Sequence, residues 1–164
     1  MPTGPRADGT KSVAWLTADE QEAWRACIRL AKMLTRQLDR DLHPFGLSVN
    51  DYEILVELSE ASGYRLRMTE LADRTAQSRS RLSHQISRMA DKGLVCREDC
   101  PGDKRGTFAV ITPRGLATIE HVAPSHVASV RRHFIDHLTA DQLAMLAASF
   151  TPVLTRLGRI RDRD

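Results

Sequence analysis

Apolar residues recur at intervals of three and four through most of this chain, and they alternate only in short central stretches. Thr17 and Glu20 form a capping box that opens a first helix. Cys27, Leu30, Ala31, Leu34 and Leu38 continue it at helical spacing to about Asp41, and Pro44 and Gly46 break it. Ser48 with Asp51 caps a second helix carrying Tyr52, Ile54, Leu55 and Leu58, which ends near Ser62 and Gly63. The alternation from Tyr64 to Met68 predicts a small strand. A third helix is expected from Thr69 to Thr75. A fourth starts at the N-cap Ser78, turns Leu82, Ile86, Met89 and Ala90 inward, and stops at Gly93. Residues 94–98 and 107–112 read as two strands of a hairpin with a polar, basic tip between them. Pro113 opens a long helix expected to reach about Leu138, bent near Pro124. Thr139 and Gln142 cap a last helix with Leu143, Leu146, Ala147, Phe150, Leu154 and Leu157, kinked at Pro152 and frayed beyond Arg159.

The predicted order is helix, helix, small strand, helix, helix, hairpin, helix, helix. The first helix and the last two carry apolar faces larger than one small domain hides, and a dimer built from them is the simplest way to bury them. With 164 residues the chain is long enough for one domain with a real core. No stretch reaches the ~18 apolar residues of a membrane span, and no membrane partner is expected. The Pro- and Gly-bearing start reads as a mobile arm over residues 1–14 and not as a signal peptide. Three Cys without a framework fit a reduced, cytoplasmic protein.

The net charge of +3 is unevenly spread. From Arg65 to Arg114 there are eleven Lys and Arg against six Asp and Glu, while the rest of the chain is slightly acidic. A basic patch attracts a polyanion such as double-stranded DNA, although a solvated face with no partner has the same composition. Two short helices joined by a tight turn make a helix-turn-helix candidate. The outward face of the second is expected to present Ser78, Arg79, Ser80, Arg81, His84, Gln85 and Arg88. Arg forks onto guanine and Gln onto adenine in the major groove, while Ser and the helix N-terminus suit phosphate. No acidic residue occurs from Gln77 to Met89, whereas a merely solvated helix usually mixes both signs. Lys104 and Arg105 at the hairpin tip suit the narrow minor groove, with Asp103 holding Arg105 by a charge-assisted bond. An ordinary charged turn is the bland alternative.

The run from Asp103 to Thr112 resembles the wing signature of the multiple antibiotic resistance regulator (MarR) family, an Asp-x-Arg followed by a strand ending in Leu-Thr, with Ile111 in place of the Leu. Residues 80–95 resemble the family's recognition helix and its Gly-Leu-Val exit. Thr69 to Ala72 resemble the preceding helix, and Gly46 to Ser48 the start of the second. The order of elements agrees from about Leu16 to Ile160. The resemblance implies a mostly α fold: a winged helix-turn-helix with a small β-wing, flanked by N- and C-terminal helices that form a dimerisation region. On that reading residues 46–112 bind DNA, and 15–45 with 113–160 dimerise. It further implies a homodimer on a pseudo-palindromic operator, commonly a repressor released by a small molecule or by oxidation.

For a small-molecule effector, the candidate contacts are Trp15, Trp24, Arg25, His43, Tyr52 and His126, each of which is more often core or interface. For oxidation, the family's organic-peroxide branch uses a first-helix Cys with nearby Tyr hydroxyls. Cys27 sits later in the helix and Val49 stands where that branch has Tyr, so only Tyr52 matches, and apolar spacing makes Cys27 a buried core thiol. Cys96 and Cys100 lack a paired His. For metal, His133 and His137 form an i, i+4 pair, but no Glu accompanies them and a solvated pair is the commoner case. No metal or other cofactor is expected. The alternatives are a thiol- or metal-responsive regulator of the same fold, or a winged helix that docks protein. An enzyme is disfavoured: there is no Gly-rich phosphate loop, Ser-His-Asp set or defined carboxylate pair.

Overall fold

A computed structural model of the chain describes residues 14–100 and 103–161; side chains at 103–105 and 159–161 lie outside what is described. Most of the expected N-terminal arm also lies outside it. The chain divides into two units, Met1–Met33 and Leu34–Asp164. The first holds the N-terminal part of helix α1 (Ala18–Leu42), which opens on the expected capping box: the backbone N–H of Thr17 donates to Glu20 and that of Glu20 to the Thr17 hydroxyl.

The second unit carries the end of α1 and then α2 (Val49–Glu60), β1 (Arg65–Arg67), α3 (Met68–Arg74), α4 (Arg79–Asp91), β2 (Val95–Cys100), β3 (Asp103–Ile111), α5 (Pro113–His133) and α6 (Ala140–Arg161). The strands form an antiparallel sheet in the order β1-β3-β2. Ile54, Leu55, Leu58, Leu71, Leu82, Ile86, Met89, Val95, Ala109 and Val122 meet in one core, so α2, α3, α4, the sheet and the start of α5 bury their apolar stripes against each other. α2 is capped as its sequence predicts, with Ser48 and Asp51 exchanging backbone-to-side-chain bonds of 3.0 and 3.1 Å. Just past the end of α4 the chain turns at Gly93 (φ 71°), and the Leu94 N–H reaches back to the Met89 carbonyl at 3.0 Å. The turn between α3 and α4 passes through Ala76 at φ 51°, which a Cβ-bearing residue seldom adopts.

The wing and the end of α5 differ from expectation. The wing strands run farther toward the tip than 94–98 and 107–112, because Cys100 still pairs with Asp103 after a register shift at Asp99. α5 stops at His133 rather than near Leu138, since Phe134 leaves helical geometry (φ −141°) and a 3-10 turn, Ile135–His137, follows. α5 and α6 each continue as one helix across Pro124 and Pro152.

Candidate nucleic-acid interface

The fourth helix decides what this molecule can touch. The Ser78 side chain accepts the N–H of Arg81 at 3.3 Å and fixes its first turn. Leu82, Ile86 and Met89 are buried as expected, while Ser78, Arg79, Ser80, Arg81, His84 and Arg88 are exposed. Gln85 does not join them. It is 2% exposed, and its Nε2 donates to Asp51 Oδ1 at 3.0 Å. At 3.6 residues per turn Gln85 lies only about 60° around the helix from Leu82, inside the apolar arc. Its assignment to the major groove is therefore corrected: it ties α4 to the cap of α2.

Arg97 on β2 was not singled out from the sequence. Its Nη2 donates to the Ser83 carbonyl (2.7 Å), the Ser83 hydroxyl (3.0 Å) and the Ser87 hydroxyl (3.1 Å), bracing the wing against α4. Nothing in the local sequence marks this contact, because it joins residues ten and more apart. Arg67, Arg79 and Arg97 line an open cavity of about 320 Å³ between the start of α4 and the sheet. Arg65 and Arg67 also lie over the Phe108 ring, 4.9 and 5.6 Å from its centroid. Asp103, Lys104 and Arg105 belong to β3, but their side chains lie outside the described residues.

The suspected effector residues are only partly brought together. Tyr52 and His126 stack with ring centroids 4.1 Å apart. Burial raises the Tyr52 hydroxyl and lowers His126, which favours neutral forms of both. His43 is exposed, as are Trp15, Trp24 and Arg25 in the first unit, where Arg25 bonds Gln21 at 3.2 Å. Cys27 is exposed, which corrects its reading as a core thiol; Cys96 is exposed and Cys100 buried.

His133 and His137 fall on different elements, so they do not form a helical pair. His133 Nε2 lies 3.0 Å from Asp41 Oδ2, and His137 Nε2 lies 2.9 Å from the Arg132 carbonyl. The same Asp41 oxygen accepts the Ser129 hydroxyl, and Gln37 donates to its other oxygen at 3.0 Å. The bond from Ser129, with those from His133 and Gln37, holds the Asp41 carboxyl below its ordinary value. Ser129 and His133 bond the carboxylate and not each other, so the trio lacks the Ser–His contact that activates a nucleophile.

A family model described as MarR family matches residues 45–106. AbsC of Streptomyces coelicolor, a MarR family transcriptional regulator, is 55% identical in its crystal structure, with a TM-score of 0.84 over 88% of this chain and 98% of that one. The chain belongs to the MarR family of transcriptional regulators. Sco3205, another MarR family member from Streptomyces coelicolor, is 44% identical with a TM-score of 0.83, over 86% of this chain and 89% of that one; its structure was solved in complex with DNA. The HTH-type transcriptional repressor YetL of Bacillus subtilis is 23% identical over 93% of this chain and 90% of its own length. In MarR terms α3 and α4 are the helix-turn-helix and β2–β3 the wing, the core of a DNA-binding transcription regulator.

Proposed function

We propose that this chain is a homodimeric, effector-responsive repressor that places α4 in the major groove of a pseudo-palindromic operator. The exposed face of α4 carries the proposal: three arginines, a histidine and two serines, with no acid from Gln77 to Met89. Arg81, His84 and Arg88 read base edges, while Ser78, Arg79 and Ser80 at the helix start hold phosphate. The Arg-lined cavity beside α4 adds positive potential where the backbone would run. Lys104 and Arg105 on the wing contact the adjacent minor groove, with Asp103 aiming Arg105. The DNA complex of Sco3205 and the naming of YetL as a repressor support the operator and the sign of regulation. In this division of labour, 46–112 binds DNA while 15–45 and 113–160 dimerise.

Anisotropy titrations with DNA upstream of the regulated gene test the assignment. Arg81→Ala and Arg105→Ala should each weaken binding by roughly 1–3 kcal/mol and leave the dimer intact. Binding by the unmodified protein should fall steeply with salt, because phosphate contacts release counterions. A flat salt response with unchanged affinities would point instead to a winged helix that docks protein.

A further inference from the structure

A second concavity, of about 380 Å³, opens between α2, the 3-10 turn at Ser62–Tyr64 and the first half of α5. That volume lies within the range of small-molecule sites, about 300–1,000 Å³. Part of its wall is apolar, with Val56 from one helix and the buried Ile119 from the other. Tyr52 and Tyr64 add two aromatic side chains to the lining. The polar groups are unusual in sign. Glu60 and Glu120 are exposed, and neither has a partner among the described residues. The Ser59 hydroxyl already donates to the Val56 carbonyl at 2.8 Å, so it is left as an acceptor. Among the described residues, no Lys or Arg lines the cavity. The His126 ring packs against Tyr52, and burial lowers its pKa, which disfavours a compensating positive charge there.

Tyr64 adds an independent mark. It is 51% exposed and held at φ 58°, a conformation that costs free energy for a bulky side chain. Strain of this kind gathers at ligand clamps. Here it sets an aromatic ring at the rim of a cavity whose free polar atoms are mostly acceptors. Aromatic faces and carboxylates together attract an organic cation.

We infer that this cavity is the effector site and that it takes a small aromatic amine or amidine, and not an aromatic carboxylate. The inference rests on the effector-responsive reading above. The flat part of the ligand lies between the tyrosines and the apolar wall, and its cationic group meets Glu60 and Glu120.

Two pairs of probes with matched rings and opposite charge test this: tryptamine against indole-3-acetate, and benzamidine against benzoate. Calorimetry on the full chain reads binding, and anisotropy of labelled operator DNA reads release. The cationic member of at least one pair should bind tenfold or more tightly than its anionic partner. Glu60→Gln with Glu120→Gln should abolish that preference. Tyr64→Gly relieves the strained backbone, so it should weaken the cation without lowering the melting temperature. Preference for the carboxylates, no binding by any probe at millimolar concentration, or a preference unmoved by the double Gln variant each overturns the inference. Carboxylates that bind and release operator overturn the ligand class but leave the effector-responsive reading standing. Amines that bind without releasing operator do the reverse.

Discussion

Gln85 shows how one residue's position on a helix changes its role. Its amide satisfies one oxygen of the buried Asp51, whose other oxygen accepts the Ser48 N–H. Gln85→Leu would leave Asp51 Oδ1 without its donor, at a cost of about 1–3 kcal/mol. Thermal melts should register that loss. Operator affinity should fall as the helix loosens, but the salt slope should not change, because Gln85 neutralises no phosphate. A base-reading Gln85 would behave oppositely: an unchanged melting temperature with altered base preference. His126 offers a second test at this scale. Burial lowers its pKa from 6.5, so the unfolded chain takes up the proton first as pH falls. Its contribution to stability is therefore present above that value and is lost as pH drops below it. Melts of His126→Phe should lack the part of the decline that the parent shows as pH falls below that value. Asp41 acts lower on the scale. Its carboxyl is held below 3.8, so its stabilisation persists above that pH and disappears only as acid carries the solution through the folded value.

Elements are held together by contacts that differ in how visibly they are written. The turn from β3 into α5 is an instance. The Thr112 hydroxyl donates to the Gly93 carbonyl at 2.7 Å and accepts the Gly115 N–H at 3.0 Å, joining the exit of α4 to the start of α5. Gly115 sits so close to this junction that a Cβ would stand 2.2 Å from the Leu94 carbonyl oxygen and 2.7 Å from Ile111 Cγ1. Gly115→Ala must push backbone aside and should cost about 1–3 kcal/mol or more, seen as an earlier denaturant midpoint. A variant as stable as the parent would mean that α5 can shift on the sheet. Caps, breakers and the apolar rhythm of α1, α2 and α4 were legible because they are local: Ser48 and Asp51 are three residues apart, as are Ser78 and Arg81. The end of α5 was not legible, because Phe134 and Ile135 continue the apolar pattern while the backbone leaves the helix. Arg97 and Gln85 were unreadable or misread for a related reason. Their partners lie 10 to 34 residues away, and only the packed core brings those positions together.

At the scale of the whole molecule, α6 poses the largest unanswered demand for burial. None of its described side chains is buried, and Met145, Phe150, Val153, Leu154 and Leu157 are all exposed. A helix this apolar is stable when a partner covers it, and a second copy of the chain is the proposed partner. Pairing also answers a need of recognition. One α4 reads a short half-site, whereas two tied together turn the second contact into an intramolecular step worth ~10²–10⁴ in affinity. Leu154→Glu separates these effects. Leu154 is 66% exposed and contributes nothing to the core of the single chain, so the variant should keep its helical spectrum and most of its melting temperature. Sedimentation should show the parent at the mass of two chains and the variant at one. Operator affinity should drop by the linkage factor, and the salt slope should fall toward half, because half the phosphates are touched. A variant that stays paired would move the interface away from α6. One that becomes monomeric yet binds the operator as well as the parent would mean that recognition needs a single winged helix.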